Sequence, residues 1–264
     1  MRKAALFLTV ALLSLSPLAH ATDVAPTSTT PVQPSAAASF TDAQRAEIEA
    51  IIKDYLVNKH PEIMAQGLQN LQKTEQADAD AKSKSAVTNA KDRIFNDPTS
   101  PVGGNPKGNV TVVEFYDYQC GYCKMSEEAV ERLLKEDKNV KFIYKDFPIL
   151  GAASVEAAKA SLASMKQGKF QAFHDALMGK KDHLGSDLIY QTAKDVGLDV
   201  DKLKKDMAEA PINDTINANL KLGQDIGVRG TPMFIINDNV FPGALQYDQM
   251  KQAVADARTA DKKP

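Results

Sequence analysis

Two cysteines occur in the 264 residues, three positions apart, in Cys120-Gly121-Tyr122-Cys123. A stabilising disulfide normally closes a long loop, where the entropic gain is larger. A bridge across two intervening residues constrains almost nothing. Tetrahedral zinc asks for four ligands, yet there is no second cysteine pair, and His60, His174 and His183 are scattered without ligand spacing. Reversible thiol–disulfide chemistry is therefore favoured over metal binding and over a structural bridge.

The flanking residues place the pair. Val110-Thr111-Val112-Val113-Glu114-Phe115-Tyr116 is β-branched and aromatic and reads as a buried strand. From Lys124 to Lys135, residues Met125, Ala129, Val130, Leu133 and Leu134 recur at helical spacing. The motif is then strand, short turn and a helix opening at or near Cys120, which puts positions i and i+3 on one face and both sulfurs within bonding reach. Unpaired N–H groups and the helix dipole favour an anion there, so Cys120 is the expected attacking thiolate. Cys123, one turn inside, is the expected resolving thiol.

Two further residues stand out. Glu114 interrupts an apolar strand, where a carboxylate is costly to bury unless it is protonated, hydrated or useful. A raised pKa would let it exchange a proton with Cys123; the plainer alternative is a solvent-facing edge residue. Pro232 opens the strand Met233-Phe234-Ile235-Ile236. A cis Thr231–Pro232 peptide would leave the Thr231 N–H and C=O free to pair with an extended peptide, although a trans proline in an ordinary turn is commoner.

The run from Glu114 to Lys124, with Gly230-Thr231-Pro232, resembles the DsbA-like family of bacterial periplasmic thiol–disulfide oxidoreductases over about residues 94–258. The resemblance implies a thioredoxin fold, a cis Pro232 packed against the cysteines, a buried acid at Glu114 and a helical domain inserted between the two halves of the fold. The periodicity agrees on the insertion. A strand at Val140–Tyr144 is followed at about 152–227 by candidate helices 154–166, 169–179, 186–196, 201–209 and 212–226, divided by Gly168, Gly185, Gly197 and Pro211. His174 reads as a structural residue of this insert. Strands near 233–237 and 239–241 and a helix from Tyr247 to Ala257 close the fold. Gly121-Tyr122 resembles the dipeptide of the periplasmic isomerase DsbC, which also carries threonine before its cis proline, and departs from the Pro-His of the archetypal DsbA oxidase.

Ahead of this domain, Met1-Arg2-Lys3, an apolar run from Ala4 to Leu18 and Ala19-His20-Ala21 read as a cleavable secretory signal over 1–21; an uncleaved anchor is the alternative. Cleavage takes the formal net charge from −2 to −4 by removing Arg2 and Lys3, a mild acidity that gives no reason to expect nucleic acid. Residues 22–39, rich in Thr, Pro, Ser and Ala, cannot bury enough apolar surface to offset ordering and read as a flexible tether. Over 40–72, Thr41-Asp42-Ala43-Gln44 has capping-box spacing. Ile48, Ile51, Ile52, Tyr55 and Leu56 form a stripe, Pro61 restarts a helix, and Ile63, Met64, Leu68 and Leu71 continue the apolar set. Two such helices cannot form an independent core, so this is an expected oligomerisation segment, with 73–93 a polar helical linker.

The expected fold is α/β: a thioredoxin fold with an inserted helical domain, preceded by an N-terminal helical oligomerisation segment similar to the oligomeric branch of the family that includes ScsC-type proteins. The expected activity is disulfide isomerisation of exported proteins with some oxidation, in the periplasm, surface display being the alternative location. Its substrates would be unfolded or misoxidised exported proteins and its redox partner a membrane protein, a DsbD-like reductant or a DsbB-like oxidant. A homodimer is expected, and no cofactor or metal beyond the Cys120–Cys123 disulfide. The alternatives are a monomeric oxidase, a copper(I) carrier using both thiolates, and a holdase chaperone.

Overall fold

The computed structural model describes residues 40–260; the expected signal over 1–21 and tether over 22–39 lie outside the described residues. The chain divides into two units, Met1–Met64 and Ala65–Pro264. In the first, Thr41 caps helix α1 (Asp42–Lys53) with a complete capping box. The Gln44 N–H donates to Thr41 Oγ1 at 3.3 Å, and the Thr41 N–H donates to Gln44 Oε1 at 3.0 Å. A π-helical turn, Asp54–Lys59, follows, and His60 ends it. Ile48, Ile51, Ile52, Tyr55, Ile63 and Met64 are all exposed, and α1 has no buried residue.

Helix α2 (Pro61–Asn89) starts at the expected proline and runs on into the second unit. The stretch read as a polar spacer up to Arg93 is helical to Asn89, then breaks at Ala90 before the short helix α3 (Lys91–Phe95). Its end is not free: Val87, Ala90 and Ile94 are buried in a core with Val113, Phe115, Ile143, Phe147 and Ile235. The packed body thus begins some seven residues earlier than the sequence suggests, because three apolar residues in a polar stretch carry little periodic signal.

Strand β1 (Val102–Gly104) adds to the expected strands; three residues with two glycines show no alternation. Strand β2 (Val110–Tyr116) is central. Helix α4 (Gly121–Glu136) crosses from it to the parallel strand β3 (Val140–Asp146). The inserted helices are α5 (Ala152–Ser164), α6 (Phe170–Met178), α7 (Ser186–Asp195), α8 (Val200–Met207) and α9 (Ala210–Ile226). Pro211 does not separate helices but sits in the first turn of α9, where the absent N–H costs nothing. Strands β4 (Met233–Ile236) and β5 (Asn239–Pro242) and helix α10 (Tyr247–Ala260) complete the chain.

The sheet order is β1-β3-β2-β4-β5, with β2–β3 parallel and the other pairs antiparallel. This is a thioredoxin-like fold with helical insertions. Alternation along β2 divides its side chains between two cores. Val113 and Phe115 join the core built on Val87 and Ile94, while Val110, Val112 and Tyr116 join the cysteines, α4, α10 and the insert. Glu114 shares the second face by parity. Among the described residues no helix is long and apolar enough to cross a membrane.

One buried ion pair ties the segment after α3 to the sheet. Lys145 is fully buried, and its Nζ donates to Asp97 Oδ2 at 2.7 Å and to the Arg93 carbonyl at 2.9 Å. Burial pushes the Asp97 carboxyl up, but hydrogen bonds from Lys145 and Thr99 outweigh it and hold the group at about 2. Asp97→Ala strands a buried ammonium and should cost about 3–5 kcal/mol, read from a urea midpoint, whereas Asp97→Ala combined with Lys145→Met should recover most of that loss.

Candidate active site: the Cys120–Cys123 turn

Cys120 is the N-cap of α4, with extended backbone angles, and its sulfur accepts the Cys123 N–H at 3.4 Å. The approach to it is fixed by Asp117. Its carbonyl accepts the Cys120 N–H at 3.0 Å, while its carboxylate accepts N–H groups of Gln119, Ile149 and Leu150 and the Ser154 hydroxyl. Every acceptor site of this buried carboxylate is thus used to brace the turn between β2 and α4. Gln119 exchanges two hydrogen bonds with the Leu184 backbone, and Lys124 Nζ donates to the Lys180 carbonyl. Both anchor the turn to the loop between α6 and α7 of the insert. Sequence reading missed Asp117, although an Asp three residues before an N-cap is a recognisable turn signal.

Across from Cys120 lies the proline loop. The Thr231–Pro232 peptide is cis, and the Thr231 carbonyl stands 3.2 Å from Cys120 Sγ. That carbonyl was expected to be left free for a peptide; instead it receives the Cys120 thiol. Pro232 is buried, its carbonyl accepting the Gly243 N–H at 2.9 Å. Gly121 and Tyr122 are exposed, Tyr122 at 64%. Beside Thr231 and Pro232 runs an open groove of about 1590 Å³, whose walls include Asp78, Lys82, Arg229, Phe241 and Asp256.

The two thiols are strongly unlike. Both are free and buried. A hydrogen bond from the Cys123 thiol holds Cys120 down to about 5, against burial and with help from the Thr231 side chain and the N–H groups of Cys123 and Tyr122. Burial first, then Cys120 and Glu114, pushes Cys123 far up. Glu114 is 1% exposed on the central strand, not at an edge. Burial, then Glu127 and Cys120, raises its carboxyl well above the ordinary range, and neither oxygen has a hydrogen-bond partner among the described residues. Glu127, four residues after Cys123 on α4, is a second buried acid that sequence reading passed over, since a glutamate at that spacing looks like one on a solvated helix face.

A nucleophilic thiolate at a helix N-terminus, a shielded thiol one turn on and a cis-proline loop opposite define a redox-active thiol–disulfide oxidoreductase. A profile described as DSBA-like thioredoxin domain matches residues 111–255, and the chain belongs to that family. A second, described as Copper resistance protein ScsC N-terminal domain, matches 44–78. The crystal structure of a thioredoxin-like oxidoreductase from Silicibacter pomeroyi is 43% identical with a TM-score of 0.62, covering 64% of this chain and 97% of that one. Proteus mirabilis ScsC in a transitional conformation is 31% identical with a TM-score of 0.62, over 84% and 99%. Na(+)/H(+) antiporter NhaA 3 of Salinispora tropica is 29% identical over 158 residues, covering 59% of this chain. The chain spans only 24% of that antiporter's length.

The lowered Cys120 value has a testable sign. Between about 5 in the fold and ~8.5 in an unfolded chain, the unfolded state holds the extra proton. Stability of the reduced protein therefore rises with pH across that window and is lost as pH falls through the lower value. Thiolate absorbance should titrate near 5, and Cys123→Ala should move that step upward by removing the largest cause of the shift. A step that stays put would contradict this origin.

Proposed function

We propose that this chain exchanges disulfides in exported proteins in the periplasm, chiefly as an isomerase with some oxidase activity. The observation that carries the reading is the contrast between the two thiols at the α4 N-terminus, opposite Thr231. The Cys120 thiolate attacks a substrate disulfide, forming a mixed disulfide and releasing a substrate thiolate. In isomerisation that thiolate, or another in the substrate, forms a new substrate disulfide and returns Cys120 to the thiolate. In reduction Cys123 attacks Cys120 Sγ, the substrate leaves as a thiol, and the enzyme keeps the Cys120–Cys123 disulfide. Cys123 must first lose its proton, and Glu114, whose charge acts on Cys123, is the proposed acceptor. Oxidation of a substrate runs that sequence backwards.

Isomerisation needs the reduced enzyme, so a membrane reductant of the DsbD type is the proposed partner, with a DsbB-like oxidant serving the oxidase activity. Gly121-Tyr122 and Thr231 support the isomerase branch through their likeness to DsbC. The open groove beside Pro232 supports the reading as a place for an extended, unfolded segment. The exposed apolar side chains of α1 and early α2, Ile51, Ile52, Leu68 and Leu71 among them, support self-association through residues 40–72, proposed as a homodimer. A second reading, copper(I) held by both thiolates, is favoured by the ScsC profile match over 44–78.

The reduced protein should restore activity to scrambled ribonuclease, and Cys120→Ala should abolish this. Oxidation of reduced ribonuclease without unscrambling, by a protein that light scattering finds monomeric, would establish the oxidase instead. Glu114→Gln should leave the first attack intact and slow release of the mixed disulfide by about 10²-fold. Pro232→Ala should disturb that release while leaving copper(I) affinity unchanged.

A further inference from the structure

Behind the redox pair, on the side of α4 that meets α6, lies a group of side chains that thiol exchange does not use. His174 is completely buried and Glu127 nearly so. The imidazole is held from every direction: Phe170 stacks on it, while Tyr116 and Tyr144 meet it edge-on at ring separations of 5.1 and 4.6 Å. Its Nδ1 lies 2.8 Å from Tyr118 Oη, which in turn lies 2.6 Å from Ser161 Oγ. With the Nδ1 proton given to Tyr118, Nε2 presents a lone pair. Glu127 Oε2 lies 3.4 Å from it.

Neither Nε2 nor either Glu127 oxygen has a hydrogen-bond partner among the described residues. Asp175, the next residue along α6 and only half buried, brings a third acceptor: ligand atoms of Glu127, His174 and Asp175 all lie within 4.8 Å of one another. Buried acceptors that face each other without a donor need positive charge between them. A proton on Nε2 would serve one carboxylate oxygen and leave the rest unmatched. Glu131, one turn beyond Glu127 on α4, adds to the negative field; burial, Glu127 and Asp175 all push its carboxyl up.

We propose that Glu127, His174 and Asp175 form a binding site for one zinc-class divalent cation at the contact between α4 and α6. Two ligands of a tetrahedral ion bonded at about 2.0–2.2 Å stand about 3.4 Å apart, and the His174–Glu127 pair already has that separation. An imidazole among the donors selects zinc over magnesium or calcium, which take oxygen ligands. The surrounding shell is that of a metal site: Tyr118 fixes the imidazole, and Gln171 Nε2 donates to Asp175 Oδ1 at 2.7 Å while also meeting the Tyr144 hydroxyl. Half-exposed Asp175 supplies the way in. Cys123 and Glu127 are four apart on α4, so the ion would lie one helical turn from the resolving thiol.

The test uses the full chain carrying Cys120→Ser and Cys123→Ser, which removes the thiolates as zinc ligands and separates the result from any redox role. Calorimetry with Zn²⁺ should give one ion per chain, undisplaced by an equal concentration of Mg²⁺. On that background Glu127→Gln should weaken binding by about tenfold to a hundredfold. Asp175→Asn, at the half-exposed rim where folding is least at stake, should do the same, and His60→Ala should change nothing. The proposal is overturned if the double-serine chain binds no zinc, if Mg²⁺ displaces it, if Asp175→Asn binds as tightly as its parent, or if His60→Ala abolishes binding.

Discussion

The chemistry of this molecule depends on a sulfur sitting where a side-chain oxygen usually caps a helix. Cys120 takes the N-cap of α4 and accepts the Cys123 N–H, so the orphan donors of the first turn and the partner thiol all stabilise a negative charge on it. The same geometry makes the thiols unequal: the outer one gains from the helix end, and the inner one is buried beneath it. Holding the sulfur there requires a rigid turn. Asp117 gives that rigidity by binding the backbone on both sides, at Gln119 and at Ile149–Leu150, as well as Ser154 of the first inserted helix.

Much of this was legible in the residues. The strand–turn–helix around the cysteines follows from a β-branched run, a short break and a 3.6-residue period, and these signals are local. The capping box at Thr41–Gln44 and the restart at Pro61 were equally local. The helices of the insert also show in the periodicity, but it was the resemblance that put Pro232 in cis against the cysteines, because contacts between residues 120 and 231 leave no mark on periodicity. What stayed hidden has the same cause. β1 is three residues with two glycines, and Val87, Ala90 and Ile94 find their core only through tertiary packing. Glu127 and His174 looked unremarkable since their ligating atoms converge from two helices 47 positions apart.

The insert does more than enlarge the core. The loop between α6 and α7 braces the redox turn at Gln119 and Lys124, and α6 brings His174 to 3.4 Å from Glu127 on α4. Glu114 on the sheet is raised first by its own burial and then by Glu127 on the helix, a second buried acid nearby. Proton traffic for the inner thiol therefore starts from a region where a second negative charge is disfavoured.

The pair of cysteines is also the complete set in this chain. Two sulfurs admit a single intramolecular connection, so a newly made copy has no wrong internal pairing to escape. Its own maturation asks nothing of the machinery that sorts disulfides in other proteins.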